Sequence, residues 1–221
     1  MLEMNRPLVA RIAPFALYMA FLAVEQGARA WGGDFDPRWL YPVKSVMVAV
    51  VLWYFRGDYR ELLARPALKP LLVSILLGVL VFALWIHLDQ GWLNLGGGAG
   101  YDPRRSDGGL DWTLVAFRLA GASLVVPVME ELFWRSFLLR WIERQDFLSV
   151  TASEVGLRAI VVSSLLFGAE HTLWFAGIVA GLTYAWLYRT YNNLWAPIAA
   201  HATTNLILGL WVLHGAAWQF W

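Results

Sequence analysis

Residues 70–88, PLLVSILLGVLVFALWIHL, contain no Asp, Glu, Lys or Arg. Coiled as an α-helix, these 19 residues extend about 28 Å, close to the hydrocarbon thickness of a bilayer. Inside a membrane the backbone polar groups must bond to one another, which leaves helices and closed barrels as the available forms. Six further apolar stretches fall at about 8–24, 41–55, 112–139, 157–171, 173–190 and 195–213. Charged residues make up 15% of the chain, against roughly 25% in soluble domains. The expectation is an all-α, polytopic transmembrane helix bundle of about seven spans.

Between the second and third stretches, RGDYRELLARPALK reads as an amphipathic surface segment broken by Pro66. Between the third and fourth, LNLGGGAGYDPRRSDGGLD is a polar connector. Its three-glycine run is not followed by the Gly-Lys-Ser/Thr of a phosphate loop. Gly177 and Gly181 form a GxxxG pair, read as close helix packing. The chain divides into N-terminal spans with a Gly-rich loop (1–110), a helical core (111–214) and a short tail (215–221).

Lys and Arg favour the cytoplasmic side of short loops. With seven spans, one set of flanks holds ten of them: Arg6, Arg11, Arg56, Arg60, Arg65, Lys69, Arg140, Arg144, Arg158 and Arg189. The opposite set holds five: Arg29, Arg38, Lys44, Arg104 and Arg105. The bias puts the N-terminus in the cytoplasm. The start resembles a secretory signal, with Arg6 and Arg11 before an apolar run and then ARA at 28–30, but it is read as a retained first span. A formal net charge of +1 suggests no nucleic-acid partner, and the absence of Cys excludes a thiol nucleophile and a thiolate metal site.

Ionisable residues inside spans are costly and mark candidate functional positions. They concentrate in the second half of the chain. The fourth span carries Glu130, Glu131 and Arg135 in EELFWR, the fifth ends in FGAEH with Glu170 and His171, and the seventh carries HATTN with His201 and Asn205. Glu131 and Arg135 stand one helical turn apart and can pair. Glu130 points about 100° away from Glu131 and lacks a local partner. At the helical rise, Glu130 lies roughly 15 Å from Arg140, His171 roughly 20 Å from Arg158, and His201 roughly 12 Å from Asn193, so the three groups can meet at one level, in the inner half to the midplane. Taken singly, an intramembrane His is more often a helix–helix hydrogen bond than a catalyst, and Glu170 reads as a helix-end charge. Arg118 has no partner in this reading.

A carboxylate beside an imidazole can deprotonate a water, and a His with an Asn amide can donate to a developing oxyanion. One Glu and two His (Glu130, His171, His201) could also hold Zn²⁺ with a fourth position open to water. The residues permit both readings. Other intramembrane proteolytic patterns are missing: there is no HExxH, no GxSG serine and no GxGD aspartate, and GGD at 32–34 lies outside the spans.

EELFWR (130–135) matches EExxxR, FGAEH (167–171) matches FxxxH, and HATTN (201–205) matches HxxxN. In this order on successive apolar helices they resemble the three motifs of the CPBP intramembrane proteases, a family that includes CAAX prenyl endopeptidases of the Rce1 type and bacteriocin-processing or immunity proteins. The resemblance covers about residues 110–214. The tail LHGAAWQFW is similar to a bacterial CAAX-protease-related subgroup found with exosortase systems, which points to a bacterial inner membrane. The resemblance implies that Glu130 activates water, that His171 shares that water or a metal, and that His201 and Asn205 complete the site. Glu131 and Arg135 would orient the site or the substrate's C-terminus, and Phe167 supports it as the first residue of FxxxH. Both a Zn²⁺ and a metal-free glutamate mechanism are compatible. The implied partner is a membrane-embedded or lipid-anchored protein or peptide within the bilayer. Two other readings compete: a non-catalytic scaffold or immunity-type binder on the same fold, and a proton-coupled transporter using Glu130 and His171.

Overall fold

A computed structural model describes residues 6–31, 35–96 and 100–221. The GGD at 32–34 and two glycines of the three-glycine run lie outside the described residues. Among the described residues seven long helices follow one another: α1 (Arg6–Trp31), α2 (Leu40–Tyr54), α3 (Leu68–His87), α4 (Trp112–Glu143), α5 (Leu157–Ala169), α6 (Trp174–Tyr191) and α7 (Trp195–Gly215). Among the described residues there is no strand, only an isolated antiparallel bridge between Arg104 and Leu110. The chain is an all-α bundle of an integral membrane protein, with one helix at each expected span. By length and composition α1, α3, α4 and α7 can each cross a bilayer.

The helices alternate in direction. At the near end, where α1 begins, Arg11 Nη2 meets Glu61 Oε1 at 2.6 Å, Asn193 Nδ2 donates to the Ala64 carbonyl, and Gly156 N donates to Glu143 Oε2. At the far end Arg38 Nη1 donates to the Asp102 carbonyl, Trp174 Nε1 to the Trp92 carbonyl, and Tyr101 N to the Trp218 carbonyl. The ten basic residues counted above therefore gather at the near end.

Asp111 starts α4 by accepting from the backbone N–H groups of Thr113 and Leu114. Within α4 two stretches, Gly121–Val125 and Leu132–Leu139, are wound as π-helix. The first sits just before Pro127, whose ring nitrogen has no hydrogen to give to the carbonyl four residues back. The two wide stretches bracket Val126–Glu131, the turn that carries both glutamates.

α5 has only 13 residues, about 20 Å of helix. In the turn that follows, Glu170 and His171 are half-buried, Thr172 is exposed and Leu173 is buried, and Leu95 N donates to the Thr172 carbonyl. Glu170 caps the end of this helix, and its side chain, 16% exposed, also lines a cavity. The glycine pair on α6 does pack closely: a Cβ on Gly177 would stand 2.9 Å from the Gly168 Cα, and one on Gly181 would stand 3.0 Å from the Ser164 Cα.

Candidate active site

On the central turn of α4, Glu131 is fully buried and Arg135 is 2% exposed. Arg135 Nε lies 3.1 Å from Glu131 Oε2, and its Nη1 donates to Oε1 at 3.2 Å. Its Nη2 donates to the Gly181 carbonyl at 3.2 Å. The guanidinium lies 4.6 Å from the Phe167 ring centre and 5.4 Å from that of Tyr184. A buried ion pair of this kind holds only when the remaining donors are also engaged, and here α6 and two aromatic rings supply those contacts.

The same carboxylate reaches a third helix. His201 Nδ1 stands 3.0 Å from Glu131 Oε1. A carboxylate can only accept, so Nδ1 carries the hydrogen and Nε2 faces the other way. Nε2 lies 4.0 Å from Glu130 Oε2. Tyr184 stacks on the His201 ring with centres 5.1 Å apart and donates its hydroxyl to Thr204 Oγ1.

His171 is oriented from the main chain. Its Nδ1 is 2.7 Å from the Phe167 carbonyl, one helical turn earlier. The carbonyl accepts, so in the neutral ring Nε2 carries the lone pair. Trp85 packs edge-on against this ring at 5.4 Å. Phe167, the first residue of FxxxH, thus offers its carbonyl to His171 and its ring face to Arg135.

Glu130, Glu170 and His171 each place a ligand atom within 4.8 Å of the other two. Glu130 Oε2 is buried and has no hydrogen-bond partner. Glu170 Oε1 accepts from Trp134 Nε1 at 3.2 Å. Two carboxylate oxygens and an imidazole nitrogen form a donor set suited to one divalent ion with a position left open. His201 is not among these three, with Nδ1 committed to Glu131 and Nε2 4.0 Å from Glu130 Oε2. Asn205, one turn further along α7, donates Nδ2 to the Ala122 carbonyl at 2.8 Å. That uses one of its two amide hydrogens.

Two adjoining cavities, of about 380 and 210 Å³, share Tyr18, Trp85, Arg118, Glu130 and His171 as walls. The smaller one reaches His201 and Asn205. The larger one runs to the far end, past Asp89, Asn94 and Thr172. Gln219, Phe220 and Trp221 of the tail fold over it. The first three helices supply Tyr18, Tyr41 and Trp85 to these walls.

The structure therefore places Glu130, Phe167, His171, His201 and Asn205 on the walls of connected space, with Glu131 and Arg135 buried behind His201. Sequence reasoning left out Trp134 and Trp85. Trp134 lies inside EELFWR, and a tryptophan beside intramembrane carboxylates was the available signal. Trp85 sits on a helix whose apolar pattern carries no such cue.

Residues 111–207 match the family model described as type II CAAX prenyl endopeptidase Rce1-like. No curated protein and no solved structure matches the chain.

Proposed function

We propose, from the premise that the helical unit over residues 111–207 belongs to the Rce1-like family, that Glu130 and His171 activate a water to hydrolyse a peptide bond. That match supports an intramembrane CAAX-type protease at the family level, acting on a membrane-associated protein. The finer reading assigns roles to its own side chains. The observation that carries it is the unpartnered, buried Oε2 of Glu130 on a cavity wall shared with His171. A buried carboxylate oxygen without a donor is costly, and a water held there relieves that cost and is placed for deprotonation.

In this reading Glu130 takes a proton from the water and the oxygen attacks the substrate carbonyl. The second amide hydrogen of Asn205 is free to meet the developing oxyanion while the first keeps the side chain on Ala122. His201, with Glu131 behind it, hydrogen-bonds the same oxyanion from Nε2 when that nitrogen carries a hydrogen; collapse of the oxyanion then breaks the C–N bond as Glu130 passes the proton it took from water to the leaving nitrogen. Glu131 and Arg135 keep that imidazole in place. Glu130, Glu170 and His171 would hold a divalent ion, which when bound polarises water as a Lewis acid.

The arginine and lysine bias supports a cytoplasmic N-terminus, and the resemblance of the tail is what points to a bacterial inner membrane. The larger cavity would then open toward the outer face. Replacement of Glu130 or His171 by Ala is expected to abolish cleavage by the purified protein while insertion and folding persist. Cleavage by Glu130→Ala at the parent rate would overturn the assignment. Full cellular function with Glu130 and His201 both replaced would make the chain a binder on the same fold.

A further inference from the structure

Arg118 sits in α4 two turns from its far end and is used by none of the chemistry above. Its Nε is buried without a hydrogen-bond partner, and among the described residues no carboxylate pairs with it. The guanidinium rests against Tyr41, 4.3 Å from the ring centre, and Tyr101, at 5.2 Å. The Tyr41 side chain also hydrogen-bonds the guanidinium, while the ring faces leave Nε unengaged. Arg118 lines both cavities, and Glu130 and His171 line the same two. A cation kept inside a membrane helix without a counter-ion implies a partner that arrives from outside the chain.

We propose that Arg118 binds a carboxylate of the peptide substrate and so sets where along that peptide hydrolysis falls. This rests on the peptidase reading of the neighbouring site. A guanidinium offers a planar fork that fits a carboxylate with two parallel hydrogen bonds. Tyr18, Tyr41, Trp85 and Trp221 line the same cavity as the cation, and Tyr41 and Tyr101 lie directly against it. Arg118 and Glu130 stand about 18 Å apart along α4 at the helical rise. An extended peptide held by Arg118 therefore presents to Glu130 a bond several residues from the carboxylate. The same carboxylate chemistry can come from a free C-terminus or from an acidic side chain.

The test uses the full chain carrying Glu130→Gln, so that peptide is bound and not consumed, in phosphatidylcholine nanodiscs. Three fluorescein-labelled apolar decapeptides serve as probes: one with a free C-terminal carboxylate, the same peptide as the C-terminal amide, and the amide with one internal Asp. Fluorescence anisotropy reads their affinities. The acid is expected to bind about tenfold or more tighter than the amide, the usual weight of a charge-assisted hydrogen bond. Adding Arg118→Gln should bring that ratio to about one, and Arg118→Lys should leave an intermediate ratio. The Lys variant decides the matter where the Gln variant does not fold. The internal-Asp peptide binding like the acid identifies a side-chain carboxylate; its binding like the amide identifies the C-terminus. An acid-to-amide ratio near one in the Arg118 protein, or a ratio that Arg118→Gln and Arg118→Lys leave unchanged, overturns the proposal. So does a preference that disappears in phosphatidylglycerol nanodiscs, since a lipid headgroup would then be the ligand. Peptide cleavage by the parent without an acid preference removes the anion site alone, and an acid preference without cleavage removes the peptidase reading alone.

Discussion

His201 Nδ1 lies 3.0 Å from Glu131 Oε1, the same oxygen that accepts from Arg135 Nη1 at 3.2 Å. One carboxylate thus ties α7 to α4, while Arg135 carries the connection on to α6 through the Gly181 carbonyl. Glu131→Leu would leave the Arg135 charge buried and unpaired. The expected loss is about 3–5 kcal/mol of stability, read from denaturant unfolding in detergent. Adding Arg135→Met should recover most of it, because the coupled pair is then removed together.

Glu130 should behave in the opposite way. Its Oε2 has no donor to lose. Glu130→Gln is expected to eliminate cleavage while the thermal midpoint stays level or rises, as happens when a strained functional group is neutralised. A midpoint several degrees below the parent would show that Glu130 is a structural residue.

The contact of α5 with α6 leaves no room at Gly181, where an added Cβ would stand 3.0 Å from both the Ser164 Cα and Cβ. Gly181→Val should cost about 1–3 kcal/mol through overpacking. It should also lower turnover, since the Gly181 carbonyl holds Arg135. Gly215→Ala, at a position with open space around it, should leave both measurements unchanged.

Acid stability should depend on Glu61, in the segment between α2 and α3. Burial pushes its carboxyl up, but the Arg11 charge and hydrogen bonds from Ser136 and Arg11 outweigh it and hold it below the usual glutamate range. Arg140 Nη2 also faces it at 3.6 Å. A depressed native value means that the contribution is complete above the unfolded-state value and is lost as pH falls through the native one. Unfolding midpoints measured from pH 7 downward should begin to drop near the ordinary glutamate range and continue below it. Glu61→Gln should flatten that part of the profile.

Much of the architecture was legible from seven apolar stretches and the charges interrupting them. The three motifs pointed to Glu130, His171 and His201 because a charge or imidazole in a lipid-crossing helix needs a reason. The pairing of Glu131 with Arg135 follows from helical spacing alone. What spacing could not show is where helices stop. α5 ends at Ala169, and the turn that follows makes Glu170 a neighbour of Glu130. Nor could it show the bond from Glu131 to His201, because a contact between residues 70 apart in sequence depends on how α4 and α7 pack. Arg118 stood out as an intramembrane cation, but its aromatic neighbours come from α2 and from the connector before α4, whose apposition no local pattern encodes.

The wide turn at Gly121–Val125 contains the Ala122 carbonyl that receives Asn205. The alignment of α7 on α4 therefore depends at this point on main-chain path and not on the identity of a side chain. Residue 122 can drift among small residues without disturbing the amide, whereas any change that rewinds the turn would swing Asn205 off target from a distance. Control of the site is partly a matter of helical pitch, and variants with every motif residue intact can still be silent.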